Sequence, residues 1–287
     1  MRLAYLILAH TAPAQLARLV GRLAAPGVRV YVHVDANTPA DVFAAMQASV
    51  PAGTVFIVRR PCRWGGFSLV AATLDLMRVA CADGCDWQVL LSGADYPVRT
   101  HAEIVARLAR NDDVDGYLDL RAESEFDVGY RWQAWHPETL NGRPAGRALQ
   151  KLQRGLRHLG LRRRLPSPLT AVWAGSQWWC LTGAAADAVL RFCDEYPKVV
   201  DFFRATLVPD EMFIQTVLMH AGLADRLVRD PLRHLVWTPG AWSPATLSDA
   251  DLPALLASDA LFARKFAADG TLTAQLDAAL NARTTMI

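Results

Sequence analysis

Leu3-Ala4-Tyr5-Leu6-Ile7-Leu8, then the stretch Pro13–Leu23, then Val28-Arg29-Val30-Tyr31-Val32-His33-Val34-Asp35 is the part of the chain whose reading decides the fold. The first run is short and unbroken in its apolar character, as in a strand buried on both faces. Behind Pro13, Leu16, Leu19, Val20 and Leu23 recur at helical spacing. Val28 to Val34 alternates as a second strand and stops at Asp35. The rhythm continues with a helix over Pro39–Met46, a strand over Val55–Val58, a helix over Leu69–Val79 and a strand over Trp87–Leu91. That last strand runs into Ser92-Gly93-Ala94-Asp95-Tyr96-Pro97. Strands alternating with helices over a hundred residues predict an α/β fold, a Rossmann-like, mostly parallel sheet flanked by helices. Such sheets bind ligands at the carboxyl ends of their strands, which makes Asp35 and Asp95 binding candidates. Viewed alone, Asp35 reads equally well as a polar turn residue ending a strand.

The second half is less regular. A Trp-rich strand is expected over Ala171–Leu181 and a helix over Ala184–Phe192. Further on, Val208-Pro209-Asp210-Glu211-Met212-Phe213-Ile214-Gln215-Thr216-Val217-Leu218 predicts an apolar helix with an acidic pair on its first turn. Pro209 suits the first helical position, and the positive end of the helix dipole favours ionised carboxylates at Asp210 and Glu211. Taken alone, a Pro-Asp-Glu triplet is an ordinary dipole-capping pair.

Composition narrows the function classes. With 52% hydrophobic and 20% charged residues, the 287-residue chain is expected to fold as one domain over residues 1–287. Residues 1–120 make up its first half and residues 121–287 its second. The five cysteines are scattered, and Cys81-x-x-x-Cys85 has no second pair to complete a zinc site. The apolar amino terminus lacks a basic region and a cleavage site and is too short to span a bilayer, so the chain reads as cytoplasmic. There is no phosphate loop, no strand-linked G-x-G-x-x-G, no G-x-S-x-G elbow and no H-E-x-x-H pair. Asp113-Val114-Asp115 and Asp249-Ala250-Asp251 match Asp-x-Asp, but neither follows a buried apolar strand.

A net charge of +2 conceals one asymmetry: no acidic residue lies between Thr139 and Ala186. Arg143, Arg147, Lys151, Arg154, Arg157, Arg162, Arg163 and Arg164 accumulate there, with Leu149, Leu152, Leu156 and Leu159 on the helical face opposite Arg147, Lys151, Arg154 and His158. A basic amphipathic helix is attracted to an anionic membrane surface or a polyanion; the alternative is a solvated helix packed on the core through its leucines. Interleaved aromatics for stacking on bases are missing, which argues against a nucleic-acid binder.

Three further features remain. Arg63-Trp64-Gly65-Gly66, ahead of a helix from Phe67, offers a flexible turn and free N–H groups to a phosphate or sugar hydroxyl. Trp178, Trp179, Trp237 and Trp242 are apolar platforms for sugar rings, or simply core. Ala263-Arg264-Lys265-Phe266 sets two cations beside an aromatic ring, either an ordinary solvated pair or one suited to neutralising a diphosphate without a metal.

In order along the chain, Leu6-Ile7-Leu8-Ala9-His10, His33-Val34-Asp35, Trp64-Gly65-Gly66, Leu91-Ser92-Gly93-Ala94-Asp95-Tyr96-Pro97, Gly175-Ser176-Gln177-Trp178, Pro209-Asp210-Glu211 and Phe262-Ala263-Arg264-Lys265-Phe266 resemble the core-2/I-branching β-1,6-N-acetylglucosaminyltransferase and peptide O-xylosyltransferase family. The resemblance implies a GT-A fold, with residues 1–120 as the nucleotide-binding half and residues 121–287 as the acceptor-binding and catalytic half, and an inverting, metal-independent glycosyltransferase using a UDP-sugar, with no resident cofactor. By position it makes Glu211 the catalytic base and sets Arg264 and Lys265 near the donor diphosphate. Asp35 falls near the nucleoside, and Trp178 beside the sugar. Trp64, Gly65, Asp95 and Ser176 complete the donor side, and Trp237 falls near the acceptor, a glycan or lipid-linked glycan. Gln177 stands where the xylosyltransferase branch often has an acidic residue, so the donor sugar stays open between N-acetylglucosamine and xylose. A non-catalytic carbohydrate-binding protein on the same fold would keep the tryptophans without needing Glu211 or the Arg264–Lys265 pair.

Overall fold

A computed structural model describes the whole chain apart from Leu159, Trp242, Asp269, Gly270, Met286 and Ile287. Two of the expectations above, Trp242 as a sugar platform and Leu159 in the leucine stripe, therefore lie outside the described residues. In chain order the first half gives β1 (Leu3–Ala9), α1 (Pro13–Leu23), β2 (Val28–Val34), α2 (Ala40–Ser49), β3 (Val55–Phe56), α3 (Phe67–Ala82), β4 (Trp87–Ser92), β5 (Tyr96–Pro97), α4 (His101–Leu108) and β6 (Gly116–Leu118). The second half gives β7 (Arg121–Ala122), α5 (Gly129–Trp132), α6 (Pro144–His158), β8 (Trp173–Ala174), β9 (Trp179–Thr182), α7 (Gly183–Glu195), α8 (Pro197–Phe203), α9 (Phe213–His220), β10 (Leu227–Val228), β11 (Arg233–Leu235), α10 (Leu252–Ala257), β12 (Phe262–Arg264) and α11 (Thr271–Thr285).

The central sheet has seven strands in the order β10-β6-β9-β4-β1-β2-β3. All run parallel except β9, which is antiparallel to both β4 and β6. This is the mostly parallel α/β sheet expected from the sequence. Successive side chains of a strand point to opposite faces, and β1 divides accordingly. Ala4 and Leu6 join the core beneath α3, α7, α8 and α9, while Leu3, Tyr5 and Ile7 join the core beneath α1, α4, α10 and α11. The expected Trp-rich strand over Ala171–Leu181 is instead two short strands, β8 and β9, which belong to different sheets. Trp179 is wholly buried on β9, so it is core and not a platform for sugar.

A second sheet, β11-β12-β5, stands at the carboxyl edge of the first. Arg233 joins the two: its guanidinium donates to Leu90 O at 3.0 Å and Pro231 O at 2.9 Å and lies 4.5 Å from the centroid of the Phe262 ring. Between β7 and β8 the chain makes a long excursion that includes α5 and α6. Arg163, counted above among the basic surface residues, turns out to be its buried fastener. Its guanidinium donates to the carbonyls of Ala134 (3.1 Å), Ala205 (2.8 Å) and Phe202 (2.6 Å) and stacks 4.0 Å from the Phe202 ring centroid. Burial pushes its pKa down to about 10. Among the described residues no helix is long and apolar enough to cross a membrane.

Candidate active site

The carboxyl edge of the central sheet opens into a cleft of about 660 Å3. Its walls include Trp64 from the loop before α3, Asp119 after β6, and Tyr130 and Arg131 of α5. Gly175 and Ser176 between β8 and β9, Glu211, and Trp237 after β11 complete it. Four residues singled out in the sequence, Trp64, Ser176, Glu211 and Trp237, thus meet around one space.

Glu211 reaches this wall by a different local structure from the one expected. Pro209–Glu211 is a separate 3-10 turn, entered through Val208 in the left-handed region (φ 52°) and separated by Met212 (φ −140°) from α9. The acidic pair is therefore not on the first turn of a continuous helix. Tertiary contact overrides the local preference: Gly175 N donates to Glu211 O at 2.9 Å, and Val208 N donates to Gly65 O at 3.0 Å. Gly175 is obligatory here, since a Cβ would stand 1.9 Å from Asp119 O. Gly65, at φ +70°, occupies a conformation natural only to glycine.

The two carboxylates differ sharply. Glu211 is 40% exposed and accepts a hydrogen bond from Arg131 Nη1 at 2.8 Å. Burial opposes the Arg131 charge, but hydrogen bonds from its guanidinium to Tyr130 Oη and Glu211 outweigh it and raise the pKa. Asp210 keeps some exposed surface, yet its Oδ1 is shut off from solvent with no hydrogen-bond partner. Burial, reinforced by the charge of Glu211, raises the Asp210 pKa to about 7. The expectation that the helix dipole keeps both ionised fails for Asp210, because desolvation is the stronger effect.

Beside the cleft lies a cationic cluster. Arg264 Nε is 3.1 Å from Asp95 Oδ1, and the guanidinium lies 4.2 Å from the centroid of the Trp178 ring. Asp95 is wholly buried and accepts from Ser92 N and Ser92 Oγ. Expected to touch the donor, it instead sits behind Arg264 and fixes that side chain. Trp178 is also nearly covered, with Ser176 Oγ 3.5 Å from its backbone N. Burial and the adjacent Arg264 charge lower the pKa of Lys265.

Two expectations of phosphate or nucleoside contact take another form. The Asp35 Oδ1 accepts from Asn37 N (2.8 Å) and Cys62 N (3.0 Å), which ties the end of β2 to the loop carrying Trp64. Asp35 does not line the cleft. The amino end of α3, expected to offer free N–H groups, already receives the Glu138 carboxylate, which accepts from Ser68 N at 3.0 Å and from Ser68 Oγ. Of the Asp-x-Asp matches, Asp115 pairs with Arg226 and accepts from Thr182 Oγ1, while Asp251 closes a capping box with Ser248. Among the described residues no three His, Cys, Asp or Glu side chains gather to hold a metal. Arg131, Asp119 and Tyr130 escaped the sequence reading. Asp119 follows a β-strand as Asp35 does, which was the available signal; Arg131 had none.

The family model described as "Core-2/I-Branching enzyme" matches residues 3–255. The chain belongs to this family. Human xylosyltransferase 1 is 28% identical over 245 residues, covering 83% of this chain and 24% of that protein. Human xylosyltransferase 2 is 28% identical over 247 residues, covering 83% of this chain and 27% of that protein. The chain thus spans about a quarter of the length of these members. Among solved structures, the galactosyltransferase LgtC in complex with donor and acceptor sugar analogues is similar at 13% identity and a TM-score of 0.36, covering 76% of this chain and 69% of that one. The family is one of glycosyltransferases, and its matched region takes in the cleft with Glu211 and Trp237.

Proposed function

We propose that the chain is an inverting, metal-independent glycosyltransferase of GT-A type. It would move N-acetylglucosamine or xylose from a UDP-sugar to a hydroxyl of a glycan or lipid-linked glycan. One observation supports this above the others: a partly exposed carboxylate, Glu211, held on the wall of an aromatic-lined cleft beside a cationic cluster.

An acceptor hydroxyl is a weak nucleophile until its proton is removed as the new bond to the anomeric carbon forms, and a carboxylate within hydrogen-bond reach does this. Glu211 takes that proton. Its charge is held in place by Arg131, which presents one carboxylate oxygen in a fixed direction. Trp64, Tyr130 and Trp237 provide flat apolar faces on which sugar rings stack. The bond to the UDP leaving group breaks with growing negative charge on the diphosphate. Arg264, braced by Asp95 and Trp178, and Lys265 oppose that charge without a divalent ion. A single displacement turns an α-linked donor into a β-linked product.

Incubating purified protein with a panel of UDP-sugars and scoring free UDP by mass spectrometry tests the reading. Release from UDP-N-acetylglucosamine or UDP-xylose is expected to exceed that from the other sugars. Release from none of them, with no thermal stabilisation by UDP, overturns it.

A further inference from the structure

α6 leaves Leu152, one of its leucines, in solvent. Ordinary surface helices bury their leucines and expose their charges. Here the packed side carries Gly146, Gln153 and the half-buried Leu149. A Cβ on Gly146 would meet Leu140 O at 2.2 Å, and Gln153 Nε2 donates to Trp135 O at 2.8 Å while its Oε1 accepts from Trp135 N. The other side turns Leu152 to solvent at 62% exposure. Leu161 (60%) and Trp135 (51%) are exposed in the same excursion.

The same excursion exposes Arg143, Arg147, Lys151, Arg154, Arg162 and Arg164. No acidic residue lies between Thr139 and Ala186, and none of these six forms an ion pair among the described residues. Exposed leucine and tryptophan flanked by unpaired cations is the arrangement of a helix lying in a lipid headgroup region. A free polyanion would engage the cations but gain nothing from Leu152 and Leu161.

We propose that α6 and the segment Leu161–Arg164 dock on an anionic phospholipid surface, with Leu152, Leu161 and Trp135 entering the headgroup layer and the six cations pairing with lipid phosphates. Arg163 takes no part, being spent on backbone carbonyls inside the excursion. It thereby anchors the docking segment to the body. The same excursion supplies Tyr130 and Arg131 to the cleft. Docking therefore brings the cleft close to the bilayer, where a lipid-linked acceptor is presented; that consequence alone rests on the transferase reading.

Co-sedimentation of the purified chain with vesicles, without any sugar nucleotide, tests the attachment separately from catalysis. The protein is expected to pellet with vesicles containing phosphatidylglycerol and to stay in solution with pure phosphatidylcholine. The binding should be lost as salt rises from about 0.05 M to about 1 M. Reversing Arg147, Lys151 and Arg154 together to Glu is expected to weaken partitioning about a hundredfold. Leu152→Glu, on the exposed face, is expected to weaken it about tenfold with an unchanged circular-dichroism melt. Equal, negligible binding of the unmodified protein to both vesicle types overturns the proposal whatever the variants do. So does binding that Leu152→Glu leaves intact and a short oligonucleotide abolishes, which would make the segment a polyanion site.

Discussion

At the residue scale, the neighbouring acids Asp210 and Glu211 are given opposite tasks by their surroundings. If Glu211 is the base, Glu211→Gln keeps the fold and UDP binding but lowers turnover by roughly two to four orders of magnitude. Near-normal turnover in that variant removes the assignment. Asp210 makes a pH-dependent contribution to stability. Its folded-state pKa of about 7 lies above the ordinary 3.8, so the native state binds more protons than the unfolded chain between those values. Stability therefore falls as pH rises through this window, and the burden is complete above about pH 7. Asp210→Asn should raise the melting temperature at pH 8, by a stabilisation on the order of 1–3 kcal/mol, with the difference vanishing near pH 4. An equal effect at both pH values would contradict the buried, strained carboxyl. The place of Glu211 at the cleft was legible in the sequence, whereas its partner Arg131 was not. Arg131 lies in an excursion whose path depends on contacts between residues far apart in the chain.

At the level of elements, the first hundred residues announce themselves because β1, β2 and β4 are six or seven residues long and strongly apolar. β1, β2 and β4 form where the hydrophobic pattern places them, and α1 spans the expected Pro13–Leu23. Later strands are two to four residues long and owe their existence to pairing across the fold, as with β8 on β7 and β12 on β11. The 3-10 turn holding Glu211 belongs to the same class, being shaped by Gly175 pressing between Asp119 and Glu211. The fastening of the α5–α6 excursion is another feature periodicity does not reveal. Arg163→Met strips the Ala134, Ala205 and Phe202 carbonyls of a charged donor, each such loss costing about 1–3 kcal/mol. Because the excursion stands apart from the main sheet, the expected result is local. Proteolytic cleavage between residues 133 and 165 should accelerate at least about tenfold while the central sheet resists. A cleavage pattern identical to that of the unmodified protein would show that Arg163 is dispensable.

For the whole molecule, two sheets divide the work: the central sheet presents the loops carrying Trp64 and Ser176, and the smaller one presents Arg264 and Trp237. Arg233, buried between them, holds the cations at a fixed place relative to the end of β4. If Arg264 and Lys265 replace a divalent ion, transfer survives excess EDTA and Lys265→Ala weakens UDP binding. Loss of activity on chelation, restored by manganese, would reject this and return attention to the Asp-x-Asp pairs. β7 and β8 pair with each other, Arg121 opposite Ala174 and Ala122 opposite Trp173, and so close the stem of everything between them. The entropic cost of closing such a stem grows only logarithmically with the length of the chain it encloses. A change in the length of the segment between Glu123 and Val172 therefore adds little to the cost of closing it, provided that Val128 and Leu169 keep their place in the core and Arg131 its hydrogen bond to Glu211.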